Sequence, residues 1–503
     1  MKLLWKKEQK NQYAAHDLYA PILYFLSGLG VLLLLYMAFD TSVWVDEAYT
    51  LGIVKYSVSD LIYVTAQDVH PPLYYLIVKL VLFLLGVENL YSAVIAARIV
   101  SVIPYVLIWI LSLTYIRREY GKECGALFSV CIISAPHMIT NALEIRMYSW
   151  AMFFILLIFL TTVKLIAGNK KDIKQFIFLG IWVLCAFYTH YFACISAAVI
   201  LLFFFIWIIL YNRNQFVPFC IMAVTEAVLY MPWMLIAFRQ IKAVSGDYWI
   251  EPIDRAALWR YFWYAFRMDE NTLGKLCGYV LVALSIFCMV LIIRNYRKGN
   301  DIPALMGMAV MPLTVVAGIV ASLLIRPVFV ERYMLPSLGC FWLGFCCILS
   351  AIRKEKRIIA GVSVLFLFMG VWQYTTALTD VKENRVEMHE VRNLYEAMDE
   401  NDIMLHTSLN TEVPAAVYCP DSRQFLIEET PTLAIDQLVF ENVEGIMEAG
   451  DTDALQRQEN TLWCIAYPNA ETMTEEWQEK LQEGTYIGTY SIDWCQFEVY
   501  KWN

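Results

Sequence analysis

The sequence predicts a mostly α-helical, polytopic membrane protein with about 11 transmembrane helices and a small C-terminal α/β domain. Of the 503 residues, 59% are hydrophobic and only 17% are charged, and the mean hydropathy is +0.53. Soluble globular proteins do not have this composition. Apolar runs of spanning length recur as far as residue 376, and the stretch that follows is polar and acidic.

The first predicted span, residues 19–39, follows the basic N-terminal stretch MKLLWKKEQK, and no small-residue signal-peptide cleavage site comes after it. This pattern indicates a retained helix with its N-terminus in the cytoplasm. The other predicted spans lie near residues 95–116, 124–140, 148–167, 175–190, 192–210, 217–237, 274–294, 303–325, 333–352 and 357–376.

One further apolar run, residues 71–87, has an ambiguous length. Excluding it from the spans places RREYGK, GNKKDIK, YNRNQ, RNYRKGN and RKEKR in the cytoplasm, where Lys and Arg accumulate in membrane proteins. Counting it as a span would place all of these loops outside. We therefore interpret 71–87 as an interfacial or re-entrant helix within an enlarged first external loop, about residues 40–94. Residues 1–376 then form the transmembrane domain.

The C-terminal residues 377–503 are predicted to form a soluble, extracytoplasmic α/β domain. VRNLYEAM and ETMTEEWQEKLQ are typical of helices, DIMLHTS and LWCIAYP of strands, and TYIGTYSIDWCQFEVYKW of two strands joined by a turn. One pair among Cys419, Cys464 and Cys495 could form a disulfide in an oxidising exterior. The net charge of −9, concentrated here, argues against a nucleic-acid partner.

The candidate catalytic residues are Asp46 and Glu47 in WVDEAYT, just beyond the first span. Ionisable groups beside the hydrocarbon boundary are costly and are therefore functional candidates. One carboxylate can take a proton from an acceptor hydroxyl or amine while its neighbour orients the acceptor or holds a cation. The alternative is a pair of acids that merely start a helix.

The segment QDVHPPLYYLIVK adds four candidate binding residues, Asp68, His70, Tyr74 and Lys79. Its two prolines favour a helix start. Asp68 therefore either caps that helix or faces the mouth of a cavity beside His70. Lys79, in the middle of the apolar run, is expected to snorkel at the interface.

Arginines at the predicted external helix ends form a third set of candidates. A guanidinium binds phosphate oxygens in pairs and stays charged, so the set suits a phosphate-bearing lipid headgroup. The alternative is snorkelling, or pairing with Glu144 and Glu331. The arginines and their polar and aromatic neighbours are Arg98, Glu144, Arg146, Tyr148, His190, Arg332 and Tyr333.

In combination, these motifs resemble the GT-C superfamily of membrane glycosyltransferases. The matching features are Asp46-Glu47, D-x-H-P-P-L-Y-Y from Asp68, E-x-R-M-Y from Glu144, T-H-Y from Thr189 and R-Y-x-L-P from Arg332. Within that superfamily the chain is similar to bacterial glycosyltransferase family 39, which is related to protein O-mannosyltransferases and lipid A aminoarabinose transferase. The resemblance covers about residues 1–376 and implies a GT-C-type helical bundle.

The resemblance also implies a reaction. A sugar would pass, with inversion, from a polyprenyl-phosphate donor to a protein, lipid or envelope-glycan acceptor at the external face of the plasma membrane. Asp46 matches the family's catalytic acidic residue, Glu47 its partner, and Arg98 the arginine that opens the second span. Arg146 and Tyr148 match the R-M-Y pair. No cofactor is firmly implied, and a divalent metal stays open. A flippase or transporter of lipid-linked sugars, or a polyprenyl-linked glycan ligase or polymerase, is the alternative.

Overall fold

The computed structural model describes residues 19–168, 172–243, 250, 252–268, 271–295, 302–351, 356–399, 402–430, 432–456, 461–467 and 473–502. The chain divides into two compact units. The first, which we call the membrane unit, comprises Met1–Tyr36, Ser101–Gly246 and Ile250–Ala377. The second, which we call the loop unit, is built mainly from Met37–Val100 and Leu378–Asn503.

Among the described residues, nine helices are long and apolar enough to cross a membrane, so the chain is an integral multi-pass membrane protein. The helices that contribute to the membrane unit are α1 (Tyr19–Met37), α5 (Leu90–Leu111), α6 (Arg117–Tyr120), α7 (Lys122–Ser134), α8 (Met138–Leu143), α9 (Tyr148–Ala167), α10 (Ile173–Phe187), α11 (Tyr191–Tyr211), α12 (Phe216–Ala243), α13 (Arg255–Tyr264), α14 (Thr272–Asn295), α15 (Ile302–Leu324), α16 (Leu335–Ala351) and α17 (Lys356–Glu396). A π-helical turn, Ser112–Ile116, joins α5 to α6, and 3₁₀ turns at Arg213–Gln215 and Glu331–Met334 precede α12 and α16.

The predicted spans at 124–140 and 175–190 correspond to helices shorter than a full crossing. In the first of these runs, α7 has 13 residues and ends at Ser134, and α8 begins at Met138. Pro136 explains the break, because the residue before a proline is disfavoured in helical conformation. In the second run, α10 has 15 residues. The run at 71–87, which we did not count as a span, forms a helix of 13 residues, Leu73–Leu85.

The first part of the loop unit contains three helices, α2 (Val45–Lys55), α3 (Val58–Gln67) and α4 (Leu73–Leu85). Ser57 caps α3 by accepting the backbone N–H of Asp60 at 3.3 Å. Gly86 ends α4 in the left-handed conformation, with φ at 60°, which a glycine adopts without strain. Of these helices, the sequence predicted α4 directly and α2 only as the alternative in which Asp46 and Glu47 start a helix; α3 was not predicted.

The second part of the loop unit is a six-stranded sheet with the order β3-β2-β1-β4-β6-β5. The pairs β1–β2, β2–β3 and β1–β4 are parallel, whereas β4–β6 and β5–β6 are antiparallel. The elements are β1 (Ile403–His406), α18 (Leu409–Tyr418), β2 (Arg423–Leu426), α19 (Leu433–Val439), β3 (Val443–Ile446), α20 (Ala449–Gln456), β4 (Leu462–Ala466), α21 (Glu475–Glu483), β5 (Thr485–Ile492) and β6 (Cys495–Trp502).

Both faces of the sheet are covered by apolar side chains, as expected of a sheet with parallel strands at its centre. Met404 and Phe497 belong to the core on one face, with residues of α17 and α18. Leu405 and Cys464 belong to the core on the other face, with Trp477 of α21. The predicted fold class, a helical membrane bundle with a small α/β domain, is confirmed.

The C-terminal domain differs from the sequence prediction in one helix, and its described cysteines form no disulfide. VRNLYEAM does not form a separate helix, because its residues lie largely within the C-terminal end of α17. Cys419, Cys464 and Cys495 are all free thiols and all buried, so no disulfide joins any pair of them. The strand predictions at DIMLHTS and LWCIAYP and the terminal hairpin correspond to β1, β4 and β5–β6.

Candidate active site

Asp46 and Glu47 occupy the first turn of α2. Trp44 precedes the helix in an extended conformation and provides no side-chain cap. Acidic side chains are stabilised in a first helical turn by the partial positive charge of the helix N-terminus. This accounts for the local position of both carboxylates, but their surroundings differ. Glu47 is only 2% exposed, whereas Asp46 is half-buried.

Glu47 is bound by Arg98 in a bidentate ion pair. Arg98 Nη1 donates to Glu47 Oε1 at 3.0 Å, and Nη2 donates to Oε2 at 3.1 Å. Nη2 also donates to the carbonyl oxygen of Ser42 at 2.6 Å. The paired geometry is the strong form of a guanidinium–carboxylate interaction, and both side chains are buried. Arg98 therefore fixes Glu47 and the chain that leads into α2.

Asp40 organises the same approach to α2. The backbone N–H and hydroxyl of Ser42 donate to its two carboxylate oxygens at 3.1 and 2.9 Å. The Asn384 amide donates to Asp40 Oδ2 at 3.0 Å and to the Ser42 hydroxyl at 3.2 Å. Asp40 was not among the site residues predicted from the sequence. Its signal was the D-x-S pattern after the first span, because Asp often hydrogen-bonds the backbone two residues on.

Asp68 and His70 form a local pair, with His70 Nδ1 at 3.2 Å from Asp68 Oδ2. Asp68 is the C-cap residue of α3, and the N-cap of α4 is Pro72, which makes no side-chain capping bond. Asp68 therefore does not cap α4, which was one of the two interpretations of the sequence. A carboxylate on one ring nitrogen orients the imidazole and fixes its tautomer.

Tyr74 and Lys79 lie on α4. Tyr74 is fully buried beside Tyr75, with ring centres 6.0 Å apart. The Lys79 ammonium donates to the carbonyl oxygen of Val54 at 3.1 Å. That carbonyl lies in the last turn of α2, where the helix dipole attracts a cation. Lys79 thus connects α4 to the C-terminal end of α2, and its role in substrate binding stays a prediction.

In the membrane unit, three of the predicted residues form an aromatic cluster. Tyr148 begins α9, His190 is the N-cap of α11, and Tyr333 lies in the 3₁₀ turn before α16. The ring centres are 5.4 Å apart for Tyr148–His190 and 5.0 Å for His190–Tyr333. The Arg332 guanidinium carbon lies 6.0 Å from the centre of the Tyr148 ring, within the range of a cation–π contact.

Glu144 and Arg146 lie in the turn between α8 and α9. The backbone N–H of Arg146 donates to the Glu144 carbonyl oxygen at 2.7 Å, and the Arg146 side chain is buried. Glu331, which we considered as a partner for the arginines, accepts a bond from Arg260 Nε at 2.7 Å. The role of Arg98, Arg146 and Arg332 in binding a phosphate stays a prediction.

His137 is a residue of this unit that our sequence analysis did not single out. Its φ of 62° is left-handed, which is strained for a residue other than glycine and recurs at functional sites. Its ring stacks on Tyr264 with centres 4.0 Å apart. The signal in the sequence is a histidine inside the apolar run CIISAPHMIT.

The predicted site residues thus form two groups, one in each unit. Within the described ranges, no three His, Cys, Asp or Glu side chains are arranged to hold a metal ion. The loop unit contains Asp46, Glu47, Asp68, His70, Tyr74, Lys79 and Arg98, and the membrane unit contains Glu144, Arg146, Tyr148, His190, Arg332 and Tyr333.

Solved structures share this architecture. The crystal structure of ArnT from Cupriavidus metallidurans bound to undecaprenyl phosphate is similar to the chain with a TM-score of 0.63, at 12% identity, over 95% of this chain and 97% of that one. The chain has the GT-C fold. ArnT from the same organism in the apo state gives a TM-score of 0.50 at the same identity and coverage.

A second GT-C structure, the mycobacterial arabinofuranosyltransferase AftD, has a TM-score of 0.50 at 12% identity and covers 97% of this chain but 40% of its own. No family model and no curated protein sequence matches the chain. The resemblance to the GT-C superfamily that the motifs indicated is thus confirmed at the level of the fold.

Proposed function

We propose that this GT-C protein is an inverting glycosyltransferase. It moves a sugar from a polyprenyl-phosphate donor to an acceptor on the external face of the plasma membrane. The similarity to the structure of ArnT bound to undecaprenyl phosphate extends over nearly the whole of both chains, and it supports a lipid-linked donor. The basic loops support an orientation with the N-terminus in the cytoplasm and the first loop and C-terminal domain outside.

The observation that carries the mechanism is the different environment of the two adjacent carboxylates. Glu47 is buried and bound through both oxygens by Arg98. Asp46, its neighbour, is half-buried. We therefore assign Glu47 to positioning and Asp46 to proton transfer. One base is sufficient for a direct inverting displacement, whereas glycoside hydrolases need a pair of carboxyl groups.

In the proposed reaction, the Asp46 carboxylate accepts the proton of an acceptor hydroxyl or amine. The nucleophile then forms a bond to the anomeric carbon, and the bond between that carbon and the phosphate oxygen breaks. The electron pair leaves with the polyprenyl phosphate. Arginines stabilise the charge that develops on this leaving group without donating a proton. Arg146 and Arg332 are our candidates for this role, with Tyr148, His190 and Tyr333 beside them.

The test is turnover of lipid-linked sugars by the purified full-length protein. A panel of undecaprenyl-phosphate sugars is incubated with candidate acceptors of the protein, lipid and glycan classes, and free undecaprenyl phosphate is measured. We expect release with at least one donor. Uptake of intact donor into proteoliposomes without release would instead indicate a transporter. Products with several added sugar units, or with a whole preassembled glycan, would indicate a polymerase or a ligase.

The variant Asp46→Asn removes the base and keeps the shape of the side chain. We expect turnover to fall by about 10²- to 10⁴-fold, which is the usual contribution of a general base. Asp60→Asn is the matched control, because Asp60 is exposed and lies in the same loop, at the start of α3. Turnover by Asp46→Asn at the level of Asp60→Asn would refute the assignment.

A further inference from the structure

One face of α2 lies against the C-terminal part of the loop unit. Tyr49, Gly52 and Tyr56 follow one another at intervals of three and four residues, so they share that face. The Tyr49 hydroxyl donates to Asp436 Oδ1. The Tyr56 hydroxyl donates to the carbonyl oxygen of Leu438 at 2.9 Å. Tyr49 in α2 and Tyr56, the residue that follows its last turn, are therefore both hydrogen-bonded to one short helix, α19.

The contact is close as well as polar. The Tyr49 and Phe440 ring centres are 5.8 Å apart. A Cβ atom on Gly52 would lie 2.6 Å from a ring carbon of Phe440 and 2.7 Å from a methyl carbon of Val439, closer than such atoms approach. Glycine is thus required for this approach of α2. A shift or rotation of the helix would either cause a clash or break its bonds to α19.

Asp436 is the central polar group of this contact. Its side chain has no exposed surface, and the Thr432 hydroxyl donates to Oδ2 at 3.0 Å while Tyr49 donates to Oδ1. Both oxygens are therefore engaged, and the group is closed off from any substrate. Burial raises the pKa of Asp436 from 3.8 to about 6, so keeping this carboxylate inside the protein has a cost. Asp436 has no place in the chemistry, and its contact is with the helix that carries Asp46.

A second attachment lies just before α2. The Tyr418 hydroxyl, at the end of α18, donates to the carbonyl oxygen of Thr41 at 2.5 Å. α18 itself packs along α2. The chain entering α2 is thus held by α18, and the face of α2 that carries Tyr49 and Gly52 is held by α19 and the residue that follows it.

We propose that Asp436 is a positioning residue, which acts through Tyr49 to fix the helix that carries Asp46. Asp46 precedes Tyr49 by three residues, within one turn of the same helix. The C-terminal domain would thus be a structural part of the active site. This inference rests on the proposed function for its effect on catalysis, although the fixing of α2 can be measured independently of any reaction.

Three variants of the full-length protein separate positioning from simple destabilisation. Tyr49→Phe removes the donor, and Asp436→Leu removes the acceptor. Asp436→Asn keeps an acceptor for Tyr49 and a group that can bond Thr432. We expect the first two to lower kcat by about 10- to 100-fold, the usual effect of misplacing a catalytic group by about 1 Å. KM for the donor should change by less than about threefold, because the residues proposed to bind it are unaltered.

Two further results follow from the same bond. The double variant Tyr49→Phe/Asp436→Leu should be no worse than either single variant, because each removes the same interaction. Asp436→Asn should stay within about threefold of the wild-type kcat, since its amide oxygen can accept the Tyr49 hydroxyl. Additive losses, or an Asn variant as impaired as the Leu variant, would overturn the proposal.

Hydrogen exchange of the α2 amides provides a readout that needs no substrate. In Tyr49→Phe and Asp436→Leu, exchange over Val45–Lys55 should accelerate by at least about tenfold, whereas exchange in β1 and β4 stays unchanged. Matched controls are Tyr486→Phe, a hydroxyl on edge strand β5, and Asp451→Asn, an exposed carboxylate on α20. Unchanged exchange in α2, or acceleration throughout the sheet, would contradict positioning.

The two readouts keep the hypotheses apart. If the wild-type protein turns over no donor, the proposed function fails and the exchange data alone decide whether Asp436 fixes α2. If Asp436→Leu does not fold, Tyr49→Phe supplies both measurements. If turnover is present and the exchange of α2 in Tyr49→Phe is unaltered, the function stands and the positioning role falls.

Discussion

The Glu47–Arg98 pair allows a quantitative prediction. The side chains of Glu47 and Arg98 are 2% and 8% exposed, and the guanidinium donates three hydrogen bonds, two to Glu47 and one to the Ser42 carbonyl oxygen. Arg98→Met leaves a buried carboxylate without its cation. Losing one member of such a pair costs about 3–5 kcal/mol. At about 1.4 kcal/mol per tenfold change, the unfolded fraction should rise by more than about 100-fold.

The double variant Arg98→Met/Glu47→Met distinguishes pairing from packing. Replacing both charges by apolar side chains removes the unpaired charge, so the double variant should be more stable than Arg98→Met alone. Its remaining cost comes chiefly from the Ser42 carbonyl, which loses a donor. We expect this non-additivity in the free energy of unfolding, measured by titration with a denaturing detergent in mixed micelles.

An exposed pair supplies the control. Arg423 and Glu444 also form a bidentate pair, but their side chains are 46% and 38% exposed. Arg423→Met should therefore cost no more than about 1 kcal/mol. Two results would show that the buried ion pair does not stabilise the fold in this way. One is a cost of Arg98→Met no greater than that of Arg423→Met. The other is a double variant whose loss of unfolding free energy equals the sum of the losses of the two single variants at Glu47 and Arg98.

Two other predictions concern residues packed near α2. Gly52→Ala should cost about 1–3 kcal/mol in unfolding experiments, because its methyl group overlaps the Phe440 ring, whereas Gly361→Ala has open space and should cost nothing. Burial, and then the charge of Asp436, raise the pKa of Glu412 from 4.5 to about 8. The folded state thus binds this proton more tightly, and stability falls as the pH rises from 4.5 to 8. Glu412→Gln should make that fall less steep, by at most about 1.4 kcal/mol per pH unit. An unchanged slope between about pH 6.5 and pH 8, above the pKa of Asp436, would contradict this.

The membrane fold was largely predictable because hydropathy depends on local composition. Runs such as 148–167 and 192–210 coincide with α9 and α11 almost to the residue. Hydropathy does not predict where a helix breaks within an apolar run, as it does before Pro136, because it depends on composition and not on backbone conformation. It also misses α2 and α3, whose polar residues interrupt the apolar pattern.

In the C-terminal domain, the longer strands β5 and β6 were predicted, whereas β2 and β3 were not. RQFL and VEGI have four residues each and mix apolar residues with charged ones. So short a segment carries little periodic signal. β2 is placed in the sheet by parallel pairing with β1, and β3 by parallel pairing with β2, and sequence spacing does not show these contacts.

In the candidate site, likewise, single residues were predictable from the sequence but the contacts between them were not. Motifs were enough to nominate Asp46, Glu47 and Arg98 individually. The bond between Glu47 and Arg98 joins residues 51 positions apart, so its existence could not be read from either motif. Asp436 had no motif at all. It lies in a stretch that resembles an ordinary acidic surface helix, and only the fold brings it to α2.

The bond between Tyr49 and Asp436 also has a consequence for biosynthesis. It joins residues 387 positions apart. A ribosome that adds about 5–20 residues per second needs roughly 20 to 80 s to reach Asp436 after making α2. Throughout that interval the nascent chain already carries Asp46, on a helix that lacks its final support. A prematurely terminated copy left in the membrane should therefore turn over lipid-linked donors more slowly than the complete protein.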